Sequence, residues 1–322
     1  MNSFMAKLAA GAVAAAAMLQ VATPAQAYPD GPVRLLVGWP AGGPVDVVAR
    51  LVQAELGQRL GAPVIVENRP GVSGMLAADV LLSQPPDGQT LLLCTHYEAM
   101  NPVMYRSAKY KVSDLAGVSL LARYYLALAV SPQSKFSNLN DIIAAAKADP
   151  GKLTYGTTGP GSSQDMLMRQ FGDLTGTTMQ SVPFRGAGPA LTEVVAGRLD
   201  FFLSPTGPAV PLVESNQIKL LAVTSTSRLA VAREVPTFSE LGYPLNLYGW
   251  IGICTRSGVP AAVIHQLNDA VTAAASTQDY RAKIEATGQI AEASSAEELQ
   301  RVLGQMSDEI SGLVKKYGIR TE

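Results

Sequence analysis

Short apolar runs alternate with amphipathic stretches along almost the whole chain, and this alternation limits the fold more than any other feature. Apolar runs occur at residues 33–38, 63–68 and 89–95, and helix-periodic stretches at 44–60 and 73–83 lie between them. Strands that alternate with helices in this way form parallel sheets covered by helices on both faces. The sequence therefore predicts an α/β fold.

The same rhythm restarts after an apolar, strand-like segment at residues 117–130. It predicts helices at 139–149, 162–174, 187–196 and 208–214, and strands at 153–157, 179–184, 199–204 and 218–224. An extended segment at 245–255 follows, and the chain ends in three predicted helices, at 260–275, 277–287 and 295–316.

Two α/β units joined by extended segments near 125–131 and 244–250 favour two lobes over one large sheet, which would be unusual at this length. Neither segment is rich in glycine or serine, so we expect a hinge of two strands rather than a flexible linker. We expect residues 28–128 plus 249–322 to form lobe 1 and residues 129–248 to form lobe 2. Each lobe should hold a mostly parallel sheet flanked by helices.

Residues 1–27 have the features of a secretory signal peptide. Lys7 is their only charge, an alanine-rich apolar core follows it, and the segment PAQA ends at Ala27 with small residues at the cleavage positions. The apolar core is short for a membrane span, which disfavours the alternative of an uncleaved anchor. We expect a mature periplasmic protein that begins at Tyr28.

Charge and metal-ligand residues exclude several classes of function. The net charge of −1 gives no indication of binding to nucleic acid or to an anionic membrane. The two histidines, His96 and His265, lie far apart in sequence, and there is no CxxC or HxxxH motif. The sequence therefore predicts neither a metal site nor a cofactor.

The two cysteines, Cys94 and Cys254, each lie at the end of an apolar run. Free buried cysteines are common in such positions, and we expect both to be free thiols. A disulfide between them remains the alternative, because an exported protein meets oxidising conditions.

A glycine-rich loop follows the first predicted strand, in the segment LLVGWPAGGPVDVVARL at residues 35–51. Trp39, Ala41, Gly42 and Gly43 let the backbone approach a ligand, and Pro44 suits the first turn of the next helix. Free amides and the positive end of the helix dipole would then favour an anion without a basic side chain. A simple tight turn is an equal alternative, and the pattern is not that of a nucleotide-binding loop.

The second unit repeats this arrangement three times, each at the end of a predicted strand, where ligands of open α/β sheets bind. The candidate residues there are Thr158, Gly161, Ser162, Ser163 and Gln164 in the first loop, Phe184, Arg185 and Gly186 in the second, and Ser204, Pro205 and Thr206 in the third.

Aromatic residues lie beside these loops and could cover the body of a small organic acid: Trp39, Tyr97, Phe184, Tyr248 and Trp250. Each alone is equally explained by core or hinge packing. Arg185 is the only cation in the set, and it either reaches a ligand carboxylate or lies on a solvated face.

The sequence gives little support for catalysis. There is no GxSxG motif, and His96, which could act as a base for Ser162 or Ser163, has no partner that the sequence identifies. We therefore expect a binding protein rather than an enzyme.

Several segments together carry a family resemblance over about residues 28–322: YPDGPVRLLVGWPAGGPVDVVARL, VIVENRPGVSG, PPDGQTLL, NPVMY, DPGKLTYGTTGPGSSQ, VPFRGAGPALTEVVAGRLDF, LAVTSTSR and VKKYGI. With these segments in this order, the chain resembles the extracytoplasmic solute receptors of tripartite tricarboxylate transporters, also called the Bug family.

The resemblance implies a two-lobed periplasmic binding protein of the type II kind, which closes on a small carboxylate held by backbone amides and ordered waters in the interlobe cleft. It places the ligand beside Trp39–Gly43 and a loop at Thr95, His96 and Tyr97 in lobe 1. In lobe 2 it points to Thr158, residues 161–164, residues 184–186 and the loop after strand 199–203.

This chain departs from the family pattern at three places. Pro44 and Val45 stand where glycine and threonine are more usual, so a hydroxyl is missing there. Ser204 replaces an aspartate that can serve an amine or hydroxyl of a ligand, which argues against an amino acid. Residues 96–98 replace a stretch that is usually small and apolar.

The resemblance implies a monomeric receptor that delivers a carboxylate to the membrane subunits of a transporter. A sensory receptor of the same fold, which presents its ligand to a membrane signalling protein, is the alternative, and a hydrolase is the third hypothesis. The sequence leaves open whether the ligand is an aliphatic di- or tricarboxylate or an aromatic acid.

Overall fold

The computed structural model describes residues 28–319, so the predicted signal peptide lies outside the described residues. The strands are β1 Val33–Val37, β2 Val64–Asn68, β3 Thr90–Thr95, β4 Leu115–Val130, β5 Thr154–Thr157, β6 Gln180–Pro183, β7 Phe201–Pro205, β8 Lys219–Val223, β9 Tyr248–Arg256 and β10 Ile290–Ala291. The helices are α1 Pro44–Leu60, α2 Met75–Leu82, α3 His96–Met104, α4 Leu139–Ala148, α5 Ser163–Thr175, α6 Ala187–Val195, α7 Thr206–Glu214, α8 Ala261–Ala275, α9 Gln278–Ala286 and α10 Ala296–Tyr317.

The first sheet has the strand order β2-β1-β3-β9-β4, with β10 also paired to β4. Strand β1 pairs in parallel with β2 and β3, as βαβ connections require, whereas β9 runs antiparallel to β3 and β4. This sheet and its helices are called lobe 1 below.

The second sheet is built on the far half of β4. Residues 115–125 of β4 pair with β9 in lobe 1, and residues 126–130 pair antiparallel with β7 and β8. Strand β5 pairs in parallel with β6 and β7. This second sheet and its helices are called lobe 2, and both sheets are mixed, with a parallel part and an antiparallel part.

Each sheet is covered on both faces, because successive side chains along a strand point to opposite sides. In lobe 1, Leu35 and Val37 pack into one core cluster, whereas Leu36 packs into the other. In lobe 2, Phe201 and Phe202 separate in the same way. This double burial explains why the strands are almost continuously apolar instead of alternating.

The predicted helices and strands agree with the observed ones to within three residues at each end, but two elements were missed. One is the two-residue strand β10. The other is α3, which begins where a loop at residues 95–97 was expected. A capping box fixes its start: Thr95 accepts a hydrogen bond from the Tyr97 amide, and the Glu98 carboxylate accepts from the Thr95 amide at 2.6 Å.

Cys94 and Cys254 form a disulfide, so the expectation of two free thiols was wrong. Strands β3 and β9 are antiparallel neighbours, and their register places Cys94 opposite Gly252 and Leu92 opposite Cys254. The Cα atoms of the two cysteines are 5.7 Å apart, within the range that a disulfide bridges. Strand pairing across 160 residues produces this proximity, and the local sequence around each cysteine carries no sign of it.

The two lobes also touch away from the crossing strands. The Thr206 hydroxyl at the start of α7 donates to the Gly288 carbonyl at 2.7 Å. At the end of α10, the Tyr317 hydroxyl donates to Asp173 of α5 at 2.8 Å, and Lys316 forms an ion pair with the same carboxylate. The lobes are therefore in contact outside the strands that they share.

Among the helices of residues 28–319, none combines the length and the apolar character that a membrane span requires.

We predict that the disulfide stabilises lobe 1. A Cys94→Ala/Cys254→Ala variant should lose about 2–4 kcal/mol of unfolding free energy, since the bond closes a long loop in the unfolded chain. Urea unfolding of oxidised wild type, reduced wild type and the double variant measures this. Each single variant serves as a control and should lose about as much as the double variant. Equal urea midpoints for oxidised and reduced wild type would contradict the presence of a stabilising disulfide.

Candidate functional site

A cleft between the two lobes contains a cavity of about 550 Å³. The residues that line it are Trp39, Gly42, Pro44, Val45, Val47, Thr95, His96, Tyr97, Tyr124, Ala187, Pro205, Gly207, Pro208, Ile251, Thr287 and Gln289.

A smaller cavity of about 120 Å³ adjoins it and shares five lining residues: His96, Tyr97, Tyr124, Ala187 and Pro205. The smaller cavity adds Leu126, Thr158, Ser163, Gln164, Leu247, Tyr248 and Gly249. No residue that lines either cavity carries an acidic, lysine or arginine side chain in the part of the chain that the structure describes.

Five helices begin at this cleft. Lining residues stand at the first turns of α1 (Pro44, Val45), α3 (His96, Tyr97), α5 (Ser163, Gln164), α6 (Ala187) and α7 (Gly207, Pro208). Each helix N-terminus carries unpaired amides and a partial positive charge. The cleft therefore has a positive field from backbone dipoles although no cationic side chain lines it.

The glycine loop before α1 is held by a carboxylate of the protein itself. The Gly42 amide donates to Asp46 at 2.8 Å, and the Gly43 amide donates to the Pro40 carbonyl. Asp46 is buried and also accepts hydrogen bonds from Arg50 and Asn68. The amides of Gly42 and Gly43 are thus already engaged in this structure.

The electrostatics of Asp46 agree with a structural role. Burial alone would raise the pKa of its carboxyl, but hydrogen bonds from Arg50, the Gly42 amide and Asn68 outweigh that effect and lower it. The carboxylate is therefore charged at neutral pH and is neutralised by Arg50.

The loop before α5 repeats this arrangement. The Gly161 amide donates to Asp165 at 2.9 Å, and Asp165 is buried and ion-paired with Arg169. The Ser162 amide donates to the Gly159 carbonyl. The amides of Ser163 and Gln164 precede the first intrahelical bond, from Met166 to Ser162, and so lie free at the helix N-terminus.

His96 and Glu98 lie together at the start of α3 with opposite pKa shifts. Burial lowers the pKa of His96 to about 4, although a hydrogen bond with the Trp250 main chain opposes the shift. Burial raises the pKa of Glu98 to about 7, against hydrogen bonds from Thr95. His96 is therefore a neutral imidazole in the cleft, and its Nδ1 atom is buried without a hydrogen-bond partner.

Aromatic rings form a connected group in the neck between the two cavities. The ring centroids of Trp39 and Tyr97 are 5.2 Å apart, those of His96 and Tyr97 are 4.3 Å apart, and those of His96 and Tyr124 are 5.8 Å apart. Burial raises the pKa of Tyr97, and the Thr158 side chain of lobe 2 opposes this shift, so the two side chains face each other across the cleft.

Half of the residues predicted to bind the ligand line the cleft: Trp39, Gly42, Thr95, His96, Tyr97, Thr158, Ser163, Gln164 and Pro205. The other predicted residues do not line either cavity in this structure: Ala41, Gly43, Gly161, Ser162, Phe184, Arg185, Gly186, Ser204 and Thr206. Arg185 is exposed and has no ion-pair partner within residues 28–319.

The sequence missed the lining residues that come from the crossing strands and from the turn before β10. Tyr124 lies on β4, Ile251 lies on β9, and Thr287 and Gln289 precede β10. No local motif marks these positions. The one available signal was the extended segment at 245–255, where Tyr248 was noted and does line the smaller cavity.

Comparison with known proteins identifies the family. The family model described as the tripartite tricarboxylate transporter family receptor matches residues 48–319. The protein BugT of Bordetella pertussis is 32% identical over 248 residues, which cover 76% of this chain and 76% of BugT.

Two solved structures are similar along nearly their whole length. A protein of R. palustris with adipate is 28% identical, with a TM-score of 0.78, and the match covers 91% of this chain and 99% of that one. MatC from Rhodopseudomonas palustris with bound malate is 26% identical, with a TM-score of 0.74, and the match covers 89% and 100%. The resemblance stated from the sequence is confirmed, and so is the two-lobed fold of a periplasmic binding protein.

We predict that His96 and Glu98 give folding stability opposite pH dependences. Glu98 binds its proton more tightly when folded, so its contribution falls as pH rises from about 4.5 to about 7. His96 binds its proton less tightly when folded, so its contribution falls as pH drops from about 6.5 to about 4. Where these ranges overlap, the two slopes largely cancel.

Neutral substitutions should separate the two slopes. Relative to wild type, Glu98→Gln should become more stable as pH rises through this range, and His96→Gln should become less stable, each by about 3 kcal/mol at most. Urea unfolding at half-unit pH steps measures both. If the unfolding free energies of the two variants, relative to wild type, changed with pH in the same direction, the burial account would be contradicted.

Proposed function

The chain belongs to the tripartite tricarboxylate transporter receptor family, and we propose that it captures a small carboxylate in the interlobe cleft and delivers it to the membrane subunits of such a transporter. The relatives whose structures hold adipate and malate support a carboxylate ligand. The family is one of solute receptors, which agrees with the expectation of a non-enzymatic protein.

The observation that carries the proposal is the electrostatic character of the cleft. Five helix N-termini meet at two adjoining cavities that no acidic, lysine or arginine side chain of residues 28–319 lines. Backbone amides at helix N-termini bind anions, and in a partly closed cleft each charge-assisted hydrogen bond contributes about 1.5–3 kcal/mol. A cationic or neutral ligand would gain nothing from the positive field of the helix N-termini.

We infer that the amides at the start of α5 hold the carboxylate. The sequence predicted two sets of amides, at residues 41–43 and 162–164, but those of Gly42, Gly43 and Ser162 already have protein partners. Ser163 and Gln164 keep free amides and line the smaller cavity. The Thr158 hydroxyl and the Gln164 side chain, which are 3.2 Å apart, stand beside them.

In this proposal the boundary between the two lobes lies on the strands that connect them, β4 and β9. We propose that residues 28–128 plus 249–322 and residues 129–248 move as two bodies, with β4 and β9 as the hinge. The pairing partner of β4 changes between Tyr125 and Leu126, which supports a hinge at that point. We also propose that the receptor works as a monomer in the periplasm and that residues 1–27 are removed on export, which the mass of the exported protein tests.

We predict that Ser163→Pro weakens carboxylate binding about ten- to a hundredfold. Proline at the first helical position removes one amide donor and little else, because that amide has no intrahelical partner. The preceding residue, Ser162, has φ −63° and ψ 161°, which a following proline accepts. Calorimetric titration with mono- and dicarboxylates, namely benzoate, adipate and malate, together with thermal melting to confirm folding, measures the change.

Two matched variants control this experiment. Ser163→Ala keeps the amide and should cost little, whereas Arg185→Ala tests an arginine clamp and should change affinity by less than about tenfold. Loss of binding in a folded Arg185→Ala protein would replace the amide account by a clamp. Gly42→Val would not be a suitable test, since Gly42 has φ +77°, where valine is strained.

We predict that Gly207→Ala prevents full closure of the lobes. A Cβ atom at Gly207 would lie 2.5 Å from the Thr287 carbonyl oxygen of lobe 1, although alanine itself suits this helix. With saturating ligand, small-angle scattering should give a larger radius of gyration for the variant than for wild type. Gly188→Ala is the control, because its Cβ would meet nothing within 4 Å. Equal radii for wild type and Gly207→Ala would argue against closure to this arrangement.

A further inference from the structure

The two adjoining cavities of the cleft differ in chemistry. The smaller one, about 120 Å³, has Thr158, Ser163 and Gln164 in its wall and two free amides at the start of α5. We call it the polar chamber. The larger one, about 550 Å³, has the apolar side chains Trp39, Val45, Val47, Pro208 and Ile251 in its wall, and we call it the apolar chamber.

We propose that the natural ligand is a monocarboxylate with an apolar, ring-sized body: its carboxylate lies in the polar chamber and its body in the apolar chamber. This inference rests on the proposed function and narrows its ligand class. Compact di- and tricarboxylates are the class that it excludes.

The apolar chamber has no charged partner for a second carboxylate. Arg50 and Arg169, on the helices that follow the first two glycine loops, are each ion-paired with a buried aspartate, and Arg185, in the third loop, is exposed and does not line this chamber. Arg123, on β4, is paired with Glu292. Burying a second carboxylate among these apolar side chains costs several kcal/mol of lost hydration, and with no cation in the lining only backbone amides of the helix N-termini could offset that cost.

The neck between the chambers suits a flat body. Tyr97 contacts both Trp39 and His96 through its ring, and Tyr124 closes the group on the far side of His96. Rings pack favourably against other rings in offset or edge-on arrangements. Within this group His96 is 3% exposed and its Nδ1 atom lacks a partner, so a polar atom is available at the neck, next to the proposed carboxylate position.

The part of the apolar chamber's wall formed by Thr287 and Gln289 also disfavours a second carboxylate. The Thr287 hydroxyl donates to the Ile284 carbonyl, so its oxygen accepts from the Gln289 amide nitrogen at 3.1 Å. This orientation leaves the Gln289 carbonyl oxygen buried without a donor. A ligand hydroxyl could pair with such an acceptor, whereas a carboxylate would be repelled by it.

Calorimetric titration of the mature protein, freed of bound solute by refolding, tests the inference. The probes are benzoate, cyclohexanecarboxylate, succinate and citrate, with benzamide as the uncharged analogue of benzoate. We expect benzoate and cyclohexanecarboxylate to bind at least about tenfold more tightly than succinate and citrate, and benzamide to bind at least about tenfold more weakly than benzoate.

The outcomes separate this inference from the proposed function. Tighter binding of succinate or citrate would overturn the inference and leave a carboxylate receptor standing. Equal binding of benzoate and benzamide would overturn the placement of a carboxylate in the polar chamber. Failure of every carboxylate to bind a folded protein would overturn the proposed function and the inference with it.

A variant tests the apolar chamber directly. Val47 is half-buried on α1 and lines this chamber, so Val47→Arg places a cation there at small risk to the fold, which thermal melting checks. Succinate should gain at least about tenfold in affinity and benzoate should lose affinity. A folded variant in which the affinity for succinate does not rise would overturn the placement of the ligand body, and Val47→Leu is the matched uncharged control.

Discussion

Strand β4 belongs to both sheets, and the positions of the lobes and the cleft follow from this shared strand. Its first part pairs with β9 in lobe 1 and its last five residues pair with β7 and β8 in lobe 2. The ends of the parallel strands β1, β3, β5, β6 and β7 then deliver their loops to one cleft. A strand pair also resists twisting more than a single linker, so it allows a bend while it keeps the two faces opposed.

Each lobe holds a glycine loop with three residues, a glycine, an aspartate and an arginine, that follow one another at intervals of four. These are Gly42, Asp46 and Arg50 in lobe 1 and Gly161, Asp165 and Arg169 in lobe 2. The aspartate satisfies the glycine amide and the arginine neutralises the aspartate. Each loop is thus fixed before any ligand arrives, which lowers the entropy lost on binding. The ligand must then use amides beyond the glycine.

The sequence was sufficient to predict most elements, because helix periodicity, glycine loops and caps are local signals. The start of α3 was missed although Thr95 and Glu98 have the spacing of a capping box; the proline at 102 and the polar residues obscured the helical pattern. The disulfide could not be predicted, since it depends on the register of β3 against β9. Tyr124 and Gln289 could not be predicted as lining residues either. Tyr124 reaches the cleft because β4 crosses between the lobes, and Gln289 reaches it from a turn that is distant in sequence.

Burial sets the charge state of two side chains at the start of α3, His96 and Glu98. Burial drives the pKa of His96 down to about 4 and that of Glu98 up to about 7, so between these values neither side chain carries a full charge. In this range the α3 dipole acts on a ligand carboxylate without competition from Glu98, which lies at the first turn of α3 and lines neither cavity. Above about pH 7, Glu98 ionises at the first turn of α3 and neutralises that dipole. A receptor built on dipoles therefore depends on keeping its own buried carboxyl group protonated, whereas one built on an arginine would not.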